Sequence, residues 1–72
     1  MGLPPQVADI GDISELKGTA QIVRDQPYKA ELKLGIKSND EAITSNGRMA
    51  ITFLDDSIVR LTEHSTLLID EY

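Results

Sequence analysis

The chain has 72 residues, with seven basic and twelve acidic side chains, a net charge of −5 and no cysteine. A chain of this length buries only about 60% of its unfolded surface, so it holds one domain with one modest core, and a substrate cleft enclosed by two layers is not expected. Without cysteine there are no disulfides or thiolate metal sites, and the acidic balance argues against nucleic acid or an anionic membrane as partner, because phosphate groups are bound by net positive surface.

The charge is uneven: residues 1–37 carry five acids and five bases, whereas residues 38–72 carry seven acids and two bases. Residues 1–11 read as a leader or linker without order of its own, since Pro4 and Pro5 exclude the interior of a helix or strand. The domain is expected over residues 12–72, as a piece of a longer protein, and no apolar run is long enough to cross a bilayer. Residues 9–17 form a short strand with Ile13 and Leu16 half buried, because too few residues separate Asp12 from Gly18 for a helix. Residues 19–24 form a second, with Ala20 and Ile22 on one face and Thr19, Gln21 and Val23 on the other. Asp25, Gln26 and Pro27 turn the chain.

Residues 28–34, YKAELKL, alternate without a break. Tyr28, Ala30, Leu32 and Leu34 oppose Lys29, Glu31 and Lys33, the pattern of one strand with a dry face and a charged face. Gly35 ends it, and residues 36–40 are a polar connection whose Asn39 and Asp40 favour a turn before a short strand at 41–44. Ser45, Asn46 and Gly47 give the next turn. Residues 46–65 then spell a β-hairpin, with Met49, Ile51 and Phe53 on the core parity, Asp55 and Asp56 breaking the run, and Val59 and Leu61 resuming it. For Phe53 and Val59 to face one core the connection must hold an odd number of residues, most simply Asp55, Asp56 and Ser57 with a bulge. After a turn at 62–65, a last strand at 66–70 points Leu67 and Ile69 inward. The expected core is Ile22, Leu32, Ile51, Phe53, Val59, Leu61 and Ile69. About six to seven short strands separated by turn signals predict an all-β domain, a small antiparallel β-sandwich or a partly open, jelly-roll-like barrel. An outer strand of such a sheet needs protection by charge, by a neighbouring subunit or by flanking sequence.

Catalytic patterns are weak. His64 is the only histidine, and although Ser65 follows it, adjacent residues of an extended segment point apart and no motif supplies a third group. The pairs Asp40-Glu41, Asp55-Asp56 and Asp70-Glu71 lack the loop spacing of a calcium site, and the chain is too short to set them across a cleft for glycoside hydrolysis. They read as turn and surface residues, with Asn39, Asp40, Asn46, Gly47, Asp55 and Asp56 defining the turns. Arg24, Arg48 and Arg60 each lie in or beside a predicted strand. They form either cross-strand ion pairs with residues such as Glu41 or Glu63, each worth about a few tenths of a kcal/mol, or a protein-recognition patch on an open sheet face. Tyr28 and Phe53 fall on the core parity, which leaves no row of exposed aromatics for stacking a base or sugar.

Asp40, Thr44, Gly47-Arg48, Ile51, Phe53, Asp55, Ser57, Leu61, Ser65 and Ile69 resemble the framework of the FecR domain, a bacterial module named after the ferric-citrate-sensing regulator, and residues 18–24 resemble its opening strand. The likeness covers residues 13–72 and consists of turns and apolar positions, with no catalytic signature. It departs where the family has glycine before the position of Asp40 and after that of Asp55; here Asn39 and Asp56 stand, and both can adopt positive φ at some cost relative to glycine. The resemblance implies a non-enzymatic, cofactor-free protein-interaction module of the periplasm or cell envelope, since FecR-like domains occur in proteins that relay a signal from an outer-membrane receptor to a sigma factor. Its contact with a protein partner, or with itself, is expected through a sheet edge or face. Two other classes stand beside it: a structural or assembly domain of a larger extracellular or viral particle protein, and a calcium or small-ligand binding domain.

Overall fold

The computed structural model describes residues 9–69. These form β1 (Gly11–Lys17), β2 (Ala20–Val23), β3 (Pro27–Lys29), β4 (Gly35–Ile36), β5 (Glu41–Thr44), β6 (Arg48–Phe53), β7 (Ile58–Leu61) and β8 (Thr66–Leu68), with no helix among the described residues. Two four-stranded antiparallel sheets pack together, one ordered β4-β1-β6-β7 and the other β3-β2-β5-β8. The fold is the small all-β sandwich that the alternation predicts, with eight strands in place of six to seven.

One apolar layer lies between the sheets. Ile13, Ile36, Met49, Ile51, Phe53 and Leu61 from the first sheet meet Ala20, Ile22 and Ala42 from the second, and Ala30 and Ile69 complete the cluster from the connecting segments. Val59 and Leu67 are half buried against it at the rim formed by β7 and β8. Ile13 and Leu16 are three residues apart and could not share a face in a regular strand. β1 solves this with a bulge at Ser14: Ile13 pairs with Ile51 and Glu15 with Ala50, which returns Leu16 to the core side.

The β6–β7 hairpin pairs Ile51 with Val59 and Thr52 with Ile58. The Phe53 N–H donates to the Ser57 carbonyl at 2.9 Å, and the Asp56 N–H donates to the Phe53 carbonyl at 2.9 Å. The loop therefore has the odd length that the register demands, but it consists of Leu54, Asp55 and Asp56, one residue earlier than expected. Asp56, at φ 69°, is the left-handed residue of a three-residue hairpin loop, and Asn39 is left-handed as well, at φ 71°. At the opposite end of the sandwich two crossings touch. A side chain on Gly47 would run into the Lys17 carbonyl oxygen, and one on Gly18, at φ 77°, into that of Asn46.

Residues 28–34 are not one strand. β2 offers no residue beyond Ala20 for β3 to pair with; the Ala30 N–H takes the Ala20 carbonyl at 3.1 Å and the chain then leaves the sheet. It turns through Lys33, at φ 69°, and lands on the first sheet, where the Lys33 N–H donates to the Ile13 carbonyl at 2.8 Å and the Ile13 N–H to the Leu34 carbonyl at 3.1 Å. Leu32, expected in the core, sits on this turn and is 60% exposed, whereas Ile36, expected in a polar connection, is fully buried in β4. Tyr28 is likewise no core residue: β3 is an edge strand and leaves it 36% exposed. The expected leader also ends sooner, since the Ile10 N–H donates to the Ile36 carbonyl at 2.7 Å and Gly11 opens β1. The rest of that leader, residues 1–8, and Asp70 of the last predicted strand lie outside the described residues.

Phe53 is 7% exposed and Leu32 60%. Phe53→Ala is therefore expected to lower the unfolding free energy by about 3–5 kcal/mol through the cavity it leaves, while Leu32→Ala stays within about 0.5 kcal/mol of the parent. Urea denaturation followed by far-ultraviolet circular dichroism measures both; a Phe53→Ala midpoint equal to the parent's would remove Phe53 from the core.

Candidate interaction face

The outward positions of the first sheet bring together residues distant in sequence. Ala50 of β6 stands between Glu15 of β1 and Arg60 of β7. The Arg60 guanidinium forms an ion pair with the Glu15 carboxylate across it, and Ala50 is buried although it faces away from the core. A methyl group is what lets the two long side chains meet. One step along the strands, Lys17 lies directly opposite Arg48, a like-charged cross-strand pair of a kind that lowers stability. Arg60 is the diagonal neighbour of Arg48 on the far side of β6. Lys17, Arg48, Arg60 and Glu15, with Leu16, Met49 and Leu61, line an open depression of about 410 Å³. Farther along β7 and its hairpin loop, Ile58 is 53% and Leu54 74% exposed.

Two of the three arginines expected on a common face are thus brought together, and Arg24 is not with them. It sits at the other end of the molecule, after β2, where Nε donates to Asp40 Oδ1 at 2.8 Å and Nη2 to Asp40 Oδ2 at 2.7 Å. Nη2 also donates to the Gly35 carbonyl at 3.1 Å, and the guanidinium lies 5.4 Å from the centre of the Tyr28 ring. The Asp40 side chain is fully buried and also accepts the Lys37 N–H at 2.9 Å. Its own carbonyl accepts the Ile69 N–H at 2.8 Å. Burial by itself would raise the Asp40 pKa, but the Arg24 hydrogen bonds, the Lys37 N–H and the two positive charges outweigh it and hold the carboxyl below its ordinary value. The same pair raises Arg24, chiefly through the Asp40 hydrogen bond. The ion-pair partners are therefore Asp40 and Glu15, where Glu41 and Glu63 were expected.

The other singled-out residues serve turns. Asp55 Oδ1 accepts the Ser57 N–H at 3.0 Å and its hydroxyl at 2.6 Å, closing the hairpin loop. His64 is exposed at φ 54° and its N–H donates to the Ser45 carbonyl at 3.0 Å. The Ser65 N–H donates to the buried Thr44 hydroxyl at 2.8 Å, so His64 and Ser65 close the β7–β8 connection. Among the described residues no three metal-binding side chains converge. Lys17 was missed by sequence reasoning because its outward direction depends on the bulge at Ser14, and Glu15 because only the β1–β6–β7 order places it beside Arg60.

The two ends of the Arg24–Asp40 pair differ in burial, with side chains 30% and 0% exposed. Arg24→Met strands a buried carboxylate and is expected to cost about 3–5 kcal/mol. Asp40→Asn keeps an acceptor for the Lys37 N–H and frees Arg24 toward water, at about 1–3 kcal/mol. Because the folded Asp40 pKa lies below the unfolded value of about 3.9, its stabilisation is complete above that pH and fades as the pH falls through the folded pKa. Melting temperatures from neutral pH down to about pH 2 should drop more steeply for the parent than for Asp40→Asn; parallel curves would remove Asp40 from the linkage.

No family model matches the chain, and no significant match to a curated protein or to a solved structure is found.

Proposed function

We propose that this chain is a FecR-like, non-enzymatic protein-interaction module that acts in the periplasm or cell envelope as part of a signalling or regulatory protein. Its FecR-like character is supported by the pattern of turn and apolar residues over 13–72. Its role in contact is supported chiefly by one observation, the cluster of Lys17, Arg48 and Arg60 on the outer face of one sheet in a chain of net charge −5. Among the described residues Glu63, which lines a depression with Lys17 and Arg48 without a direct ion pair, offsets this like-charged pair in part, and a partner that brings negative charge relieves it further. Arginine is also enriched where proteins meet. The sandwich interior is filled by side chains, so the chemistry available to a partner is that of the surface.

A photo-activated cross-linker placed at position 52, 58 or 21 of the parent protein, in its own cells, tests this reading and leaves the three basic residues in place. Positions 52 and 58 lie on the outer face of the first sheet and position 21 on that of the second. A discrete adduct with one envelope protein is expected from 52 and 58 and not from 21. Absence of an adduct from all three would overturn the interaction reading, and adducts between copies of the parent would replace it with an assembly role.

A further inference from the structure

The four outer strands are not equally protected against pairing with another chain. β3 begins with Pro27 and carries Lys29, two features that block strand addition. β4 has two residues and β8 three. β7 has four, without proline or lysine. The bond from the Phe53 N–H to the Ser57 carbonyl fixes which backbone groups of the hairpin face inward. By the alternation of an antiparallel ladder, Val59 and Leu61 bond toward β6, while the N–H and C=O groups of Ile58 and Arg60 point away from it. The side chains of Ile58 and Arg60 are themselves exposed. On the inner side the half-buried Val59 of β7 and Leu67 of β8 form an apolar rim that the sandwich leaves partly uncovered.

We propose that the edge of β7 is a strand-addition site for an extended segment of a partner protein in which acidic and apolar residues alternate. The inference rests on the interaction reading and names the chemistry of the partner. Backbone bonds to Ile58 and Arg60 hold the segment. Its apolar residues point inward and cover Val59 and Leu67, and its acidic residues point outward, where one meets Arg60 and the next, beside Thr62, faces Arg48 of β6. Charge selects this occupant over a second copy of the chain. Antiparallel pairing of two β7 edges keeps both outer faces on the same side of one continuous sheet, which brings the two Arg60 residues and their basic neighbours together.

Titration of isotopically labelled protein with a blocked heptapeptide alternating Glu and Val tests this. Amide shifts are expected at Ile58, Arg60 and Thr62, with affinity roughly tenfold above that of the matching Lys and Val peptide. Methylating the peptide nitrogens that would bond to β7 should weaken it by a similar factor. Ile58→Pro removes an outward-pointing donor, so it should melt near the parent and bind roughly tenfold more weakly; the methylated peptide tests the same bond without changing the protein. No binding at millimolar peptide, equal binding of the Lys peptide, or indifference to methylation would overturn the proposal, as would a β7-mediated dimer in light scattering. If the peptide fails while cross-links from positions 52 and 58 persist, strand addition is wrong and the interaction module stands.

Discussion

The Asp40 carboxylate is removed from water, a transfer that costs several kcal/mol unless hydrogen bonds and opposite charge replace the lost solvent. Three hydrogen bonds do so, two from the Arg24 guanidinium and one from the Lys37 N–H, and the network they belong to ties together different parts of the chain. Arg24 extends β2 of one sheet, the same guanidinium reaches the Gly35 carbonyl in β4 of the other, and Lys37 belongs to the crossing between them. The Asp40 backbone then receives Ile69, just after β8. Satisfying one buried charge therefore sets the spacing of both sheets at that end. The opposite end is set by sterics, where the Gly18 and Gly47 backbones approach too closely for any side chain between them.

With both ends fixed in these two ways, the charged residues divide by role. Arg24 is consumed by the fold: bidentate, stacked near Tyr28 and bound to a buried partner. Arg60 has an exposed partner in Glu15, an interaction worth less than about 1 kcal/mol and easily exchanged for another carboxylate. Arg48 faces Lys17 and has no ion-pair partner among the described residues. The gradient from locked to exchangeable runs from the far end of the second sheet to the outer face of the first, and it is on that face that a visiting carboxylate has most to gain.

Much of this was legible from residue order alone. The two-residue period of 49–53 and the acidic break after it gave the hairpin and its odd loop length; Asn39 and Asp56 marked turns through their tolerance of positive φ, and Asn46-Gly47 marked another, where the glycine answers a close backbone approach. What failed did so because strand length is a property of pairs. Residues 28–34 alternate as well as any strand, yet β2 stops at Ala20 and leaves Leu32 nothing to bond with. Ile36 could not be seen as core because its partner in the first sheet is Gly11, twenty-five residues away, and no local pattern encodes that pairing. Asp40 reads as an ordinary turn residue, and its burial follows only from an arginine sixteen positions away. The two-arginine face similarly needed the strand order β1-β6-β7, which no local pattern encodes.

That strand order also governs how the protein comes into being on the ribosome. β1 is the second strand of its sheet, flanked by the two-residue β4 and by β6, which is synthesised more than thirty residues later. The first sheet therefore closes only when the hairpin of β6 and β7 is available to it, although Ile13 can already meet Ile22, Leu34 and Ile36. A nascent chain halted before Arg48 has no partner for the long side of β1, so this long-range pairing is completed late in synthesis.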